Sequence, residues 1–236
     1  MSKVAVLAGA GPGNGAAISR RLVREGYAMG VLARSQPYVD ELAAELRKMG
    51  GNALPIATDL GDAEAVTKAF KRIRAELGSV DVLIQNAAPM VHSPFLELKP
   101  ELFEMAFRVA VMGMVHCCRE VLGDMEREGS GSIIVIGATG AMRGAGGFAP
   151  FAVGKFGQRA LGQSLAREFG PKGIHVAHVI IDGVIETPAT RKFFPDKDPT
   201  FFLQPEDIAD AVWHVIDQPR SAWSQEIDLR PFGERF

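Results

Sequence analysis

Two stretches of this chain hold residues whose types and spacing can do chemistry. In LAGAGPGNGAAISRRL, Gly9, Gly11, Gly13 and Gly15, with Asn14 among them, lie between an apolar run and an Ala/Ile/Leu segment. Without side chains in the way, backbone N–H groups there approach a phosphate closely, and a helix starting at that point adds a favourable dipole. Glycine-rich loops also serve as plain turns. A strand before and a helix after, at the start of the chain, point instead to dinucleotide binding. The second stretch, APFAVGKFGQRALG over residues 149–162, puts Lys155 in what otherwise reads as a buried helix. One turn before it stands Phe151, which can neither give nor take a proton.

The next question is which dinucleotide. At the end of the second strand an acid hydrogen-bonds a free ribose 2′-hydroxyl, whereas an arginine suits a 2′-phosphate. The sequence there is Leu32-Ala33-Arg34-Ser35, with no carboxylate until Asp40. Arg34 and Ser35 can bracket a phosphate, which favours NADP(H) over NAD(H); the plainer alternative is a surface arginine.

The elements that must position these groups alternate in the rhythm of βαβ units. Strands are expected at Val4–Ala8, Ala28–Ala33, Ala53–Ala57, Val80–Asn86, Ser132–Ile136, His175–Ile181 and Glu226–Leu229, with helices near 14–25, 37–49, 62–77, 100–124, 149–169 and 205–217. Runs such as VDVLI and SIIVI are apolar at nearly every position, which suits a sheet covered on both faces. The expectation is an α/β, doubly wound Rossmann fold: a seven-stranded, mainly parallel sheet with helices on both faces. Its ligand belongs at the carboxyl ends of the strands, where strand order reverses. No linker composition interrupts residues 1–236, so one domain is expected.

Composition excludes several classes. A net charge of −2 and a pI near 6.2 leave no basic field for nucleic acid. No apolar run approaches the roughly 18 residues that span a membrane, and the amino-terminal run lacks the pattern of a secretory signal. Cys117 and Cys118 are adjacent on an expected helix, poor geometry for a disulfide or a metal site, and read as packing residues in a reducing cytoplasm.

With these residues in view, the chain resembles the short-chain dehydrogenase/reductase family over nearly its full length. Gly9-x-x-x-Gly13-x-Gly15 is similar to that family's cofactor loop, with Ala8 where threonine is usual. Thr58-Asp59-Leu60 resembles the turn that meets the adenine, a role that passes to Asp59. Gln85-Asn86-Ala87-Ala88 resembles Asn-Asn-Ala-Gly, and puts Asn86 near the nicotinamide ribose. Asp182-Gly183-Val184-Ile185-Glu186-Thr187 lines up with Pro-Gly-x-Val-x-Thr, so that Ile185 and Thr187 meet the carboxamide. The resemblance also implies a mobile substrate lid over 186–204, a small-molecule substrate, and a homodimer or homotetramer formed through the helices near 100–124 and 149–169.

The catalytic motif departs from the family. Its Asn, Ser and Tyr positions align with Ala110, Ala138 and Phe151, and only Lys155 keeps a polar group, where the resemblance makes it a ribose-binding cation. No Tyr-x₆-Lys substitute exists, because residue 148 is Phe. Losing a general acid typically costs about 10²–10⁴ in rate. The proton sources left are Asp182, in place of a proline, Thr139, if the fifth strand slips by one residue, water, or the substrate itself. Asp182 reads either as an Asx turn in Ile-Asp-Gly or as a carboxylate facing the nicotinamide. His92 and Arg143 are loop residues within reach of a substrate, or plain surface groups. Two functions stay open: an atypical NADP(H)-dependent oxidoreductase with catalytic Lys155, Asp182 and Thr139, or a non-catalytic dinucleotide-binding sensor or scaffold.

Overall fold

The computed structural model describes residues 2–233. In chain order the elements are β1 (Val4–Ala8), α1 (Asn14–Arg24), β2 (Ala28–Ala33), α2 (Gln36–Lys48), β3 (Ala53–Ala57), α3 (Ala63–Glu76), β4 (Val82–Gln85), α4 (Pro100–Phe107), α5 (Gly113–Glu128), β5 (Gly131–Ile136) and α6 (Ala149–Phe169). There follow β6 (Ile174–Ile181), β7 (Val184–Ile185), α7 (Pro188–Phe193), β8 (Phe202–Leu203), α8 (Pro205–Ile216) and β9 (Glu226–Leu229). Seven of the strands form one sheet in the order β3-β2-β1-β4-β5-β6-β9, parallel throughout.

Alternation along each strand explains why the runs are apolar at every position. In β1, Ala5 and Leu7 enter one core with residues of α1, α2 and α8, while Val4, Val6 and Ala8 enter a second core with residues of α3 and α5, flanked by α6. Cys117 and Cys118 are free thiols packed in that second core, and burial pushes Cys118 up to about 12. Local signals set the ends of the elements. Asp62 caps α3 by accepting from the Glu64 and Ala65 N–H groups, and Gly129, at φ 59°, closes α5 in the left-handed region.

Strand β4 is shorter than the Val80–Asn86 read from the chain, and two further segments differ from the expectation. The helix read over 100–124 is α4 and α5 joined by a π turn at Arg108–Met112, and it runs on to Glu128. The wide turn frees the Ala110 carbonyl, which accepts from Gln158 Nε2 at 3.0 Å. The segment 186–204 holds regular structure that composition did not announce: Thr187 and Thr190 form a reciprocal capping box that starts α7, and β8 pairs with β7 just before the segment.

Candidate active site

Strand order reverses between β1 and β4, and the glycine loop lies at that point. Gly9 follows β1 with φ 95°, and a Cβ there would come within 2.6 Å of the Ala87 backbone nitrogen. Asn86 Nδ2 donates to the Gly9 carbonyl at 2.7 Å, which ties the turn after β4 to the turn after β1. Gly13 is the N-cap of α1 and lies under the second half of the chain: a Cβ on it would meet Thr187 Cγ2 at 3.0 Å and Ile185 Cγ2 at 3.9 Å. Gly15 is packed equally tightly, with the Ala10 Cα 3.2 Å from its Cβ position, whereas Gly11 has open space. Helix geometry leaves the first-turn N–H groups, Asn14 and Gly15 among them, without intrahelical partners. Asn14 itself is 7% exposed, and its Oδ1 is buried without a hydrogen-bond partner.

This crowding makes a prediction. Gly9→Ala strains a left-handed position and drives Cβ into backbone, so a loss of at least about 2 kcal/mol is expected by urea denaturation. Gly11→Ala is expected to stay within about 0.5 kcal/mol of the parent. Equal effects at the two positions would contradict this packing.

Around the cradle the other expected residues divide by exposure. Arg34 is exposed at the end of β2, and Ser35 is the N-cap residue of α2 without a side-chain cap bond. Asp59 is exposed after β3 and turns its Oδ1 to the Gly61 N–H at 2.9 Å, while Leu60 is buried. All of these stand at the carboxyl ends of their strands.

Lys155 comes up from α6 beside the end of β5. It is 3% exposed, its Nζ donates to the Ile136 carbonyl at 2.6 Å, and it lies 6.0 Å from the centre of the Phe151 ring. Burial lowers its pKa to about 7. Phe151 packs against the turn after β5, where a Cβ on Gly140 would meet its ring at 2.8 Å. Ala138 and Ala110 present only methyl groups. No phenol comes near: Tyr27 precedes β2 at the opposite end of the sheet, and Tyr38 lies on α2. Burial pushes both up to about 12.

Asp182 is where the structure adds most. It follows β6, is 1% exposed, and does not spend its carboxylate on its own turn. Thr139 Oγ1 donates to Oδ1 at 2.7 Å, Arg143 Nη2 and Nη1 approach Oδ1 and Oδ2 at 3.3 and 3.5 Å, and Arg230 Nη2 stands 3.7 Å from Oδ2. Thr139 needs no strand slip to get there. β5 ends at Ile136, and a 3₁₀ turn over Thr139–Ala141 swings the hydroxyl across. Arg143 is half exposed, so it is neither a bare surface charge nor a buried one. His92 is exposed but not free, since its ring packs on Phe148 at 4.6 Å.

Sequence reading missed Gln158, which is fully buried and bridges the Ala87 and Ala110 carbonyls at 2.9 and 3.0 Å. Its one signal was a polar residue one turn beyond Lys155. Arg230, which follows β9, was likewise not anticipated as a partner of Asp182. Among the described residues no cluster of three or more His, Cys, Asp or Glu side chains could hold a metal, and no helix is long and apolar enough to cross a membrane.

Comparison with known proteins agrees with this architecture. The chain is 31% identical to human dehydrogenase/reductase SDR family member 11, over 97% of this chain and 94% of that one. It superimposes on a short-chain dehydrogenase from Rhodopseudomonas palustris with a TM-score of 0.84 and 33% identity, covering 98% of this chain and 99% of that one. An alcohol dehydrogenase from the archaeon Thermococcus sibiricus, complexed with 5-hydroxy-NADP, gives a TM-score of 0.88 at 28% identity, with 99% and 98% covered. The short chain dehydrogenase family profile matches residues 3–198, so the doubly wound sheet, its glycine cradle at the strand-order switch and this profile agree: the chain belongs to the short-chain dehydrogenase family.

Proposed function

We propose that this protein is an NADP(H)-binding oxidoreductase in which Asp182 and Thr139 handle the proton that a tyrosine handles elsewhere in the family. The observation that carries the proposal is the 2.7 Å bond from Thr139 to a buried Asp182 at the strand ends that Lys155 reaches from α6.

The residues present fit a dinucleotide. Gly13 and Gly15 put no side chain over the Asn14 and Gly15 N–H groups at the start of α1, and the unpartnered Asn14 Oδ1 offers a buried acceptor for a hydroxyl in the same cradle. Gly11, Gly13, Asn14 and Gly15 would hold the phosphates, Arg34 and Ser35 the 2′-phosphate, Asp59 and Leu60 the adenine. Asn86, Ala87 and Lys155 would hold the nicotinamide ribose, and Ile185 and Thr187 the carboxamide. When bound, the dinucleotide supplies or accepts a hydride. In the direction of alcohol oxidation, the substrate hydroxyl gives its proton to Thr139 Oγ1 as the Thr139 proton passes to Asp182; reduction reverses both transfers. Phe151, Ala138 and Ala110 take no part in this relay and leave an apolar wall. Segment 186–204 would serve as the lid, with Phe201 packed between Phe194 and Phe202 at 5.5 and 5.0 Å and Phe193 left in solvent. Exposed Leu102, Phe107, Val153 and Phe156 on α4 and α6 support pairing of two chains there.

A second reading, a dinucleotide-binding protein without turnover, draws on the same cluster: Arg143 and Arg230 already counter the Asp182 charge.

Fluorescence titration tests the shared part of both readings. NADPH is expected to bind more tightly than NADH, and Arg34→Ala to weaken NADPH about 10- to 100-fold while sparing NADH, as for the loss of a charge-assisted hydrogen bond. A chain that takes up neither dinucleotide would overturn the proposal.

A further inference from the structure

A glutamate, an arginine and a histidine meet beneath this site, and none of them belongs to the relay. Glu226 on β9 pairs in register with His178 on β6. Its two oxygens accept from Arg159 Nε and Nη2 at 2.7 Å each, a fork geometry that fixes both planes. Arg159 spends its remaining nitrogen, Nη1, on the Ala141 carbonyl at 3.0 Å. His178, fully buried, meets Glu226 Oε1 through Nδ1 at 2.9 Å. A carboxylate accepts, so Nδ1 carries the proton and Nε2 is bare. That bare edge fills the space under Gly137: a Cβ there would come within 2.3 Å of His178 Nε2. Burial holds His178 below its usual range despite the Glu226 bond, with Lys155 and Arg159 adding to the effect. The ring is therefore neutral at pH 7.

We propose that Glu226 is a positioning residue: through Arg159 and His178 it fixes the 137–143 loop that brings Thr139 and Arg143 to Asp182. The inference rests on the reading that this loop carries the proton-handling hydroxyl. The loop is held at its entrance by Lys155 on the Ile136 carbonyl, along its floor by His178 under Gly137, and at its far end by Arg159 on the Ala141 carbonyl. Lys155 and Arg159 are one turn apart on α6, and Glu226 is the anion that holds both Arg159 and His178. Without its charge the guanidinium loses its fork, and the carbonyl of Ala141 loses a fixed donor.

Hydrogen–deuterium exchange and the side-chain carboxyl ¹³C resonance of Asp182, assigned from its disappearance in Asp182→Asn, test this on the unliganded full chain. Glu226→Gln is expected to speed exchange at the Ala141, Met142 and Arg143 amides at least tenfold relative to the β1 and β4 amides, and to move the Asp182 resonance. Arg159→Lys keeps the positive charge but not the fork, so it is expected to do the same, and it serves if Glu226→Gln fails to accumulate. The double variant is expected to be no worse than the more affected single one, because both break a single connection. Uniform acceleration with an unmoved Asp182 resonance would reduce Glu226 to a structural ion pair and overturn the proposal, as would additive losses in the double variant. An NADPH titration of the wild type separates the two claims: its failure would sink the dinucleotide reading alone, since both other readouts are taken without ligand.

Discussion

Replacing Lys155 with methionine is expected to make the unliganded protein more stable at pH 7 and to weaken NADPH binding at least tenfold. The opposition follows from where the ammonium sits. Burial lowers Lys155 from 10.5 to about 7. Between about pH 7 and 10.5 the unfolded chain therefore binds more protons than the folded one, so stability rises with pH across that window. Below about 7 both states are protonated, and the fold carries the full penalty, of the order of 3–5 kcal/mol. Methionine removes that penalty but leaves the Ile136 carbonyl without its donor, at about 1–3 kcal/mol. A net gain of about 1–3 kcal/mol at pH 7 follows, and it shrinks as pH approaches 10. Urea denaturation of both proteins at several pH values reads the difference. Parallel curves, or unchanged NADPH affinity, would show that Lys155 is not a buried cation kept for its ligand.

The second large effect concerns Asp182. Asp182→Asn keeps an acceptor for Thr139 and removes the charge that faces Arg143 and Arg230. Breaking a buried pair in this way typically costs about 3–5 kcal/mol, here moderated by the exposure of Arg143. If the carboxylate is the proton acceptor, turnover found on a panel of carbonyl and alcohol substrates is expected to fall about 10²–10⁴-fold in this variant, with NADPH affinity little changed. Ala138→Ser with Phe151→Tyr rebuilds the usual hydroxyls next to Lys155, and its activity is expected to survive Asp182→Asn. Activity only in the rebuilt protein, with none in the wild type, would decide for the binding role.

What the sequence determined by itself is local. β1, β2, β3 and β9 fall at the bounds read from the chain, where apolar runs or, in β9, the alternating Glu-Ile-Asp-Leu end at loop residues, and α6 is likewise as read. The glycine pattern was legible as a turn between strand and helix; that a Cβ at Gly9 or Gly13 would meet Ala87 or Thr187 was not, because those residues come from distant parts of the chain. Phe151 and Lys155 were legible because four residues make one helical turn. The π turn at Arg108–Met112 was not, since it depends on a carbonyl finding Gln158 from another helix.

Only the tertiary structure decided what Asp182 does. Ile-Asp-Gly fits an Asx turn as well as it fits a buried anion, and the choice was made by a hydroxyl 43 residues away and by two arginines from separate loops. Glu226, Arg159 and His178 were invisible for the same reason. In a parallel sheet the partners of a polar side chain come from neighbouring strands and the covering helix, and burying it without them would cost several kcal/mol. Sequence spacing along one element could single out Lys155 on α6. Which groups surround it was settled by strands and helices that meet only when the sheet is assembled.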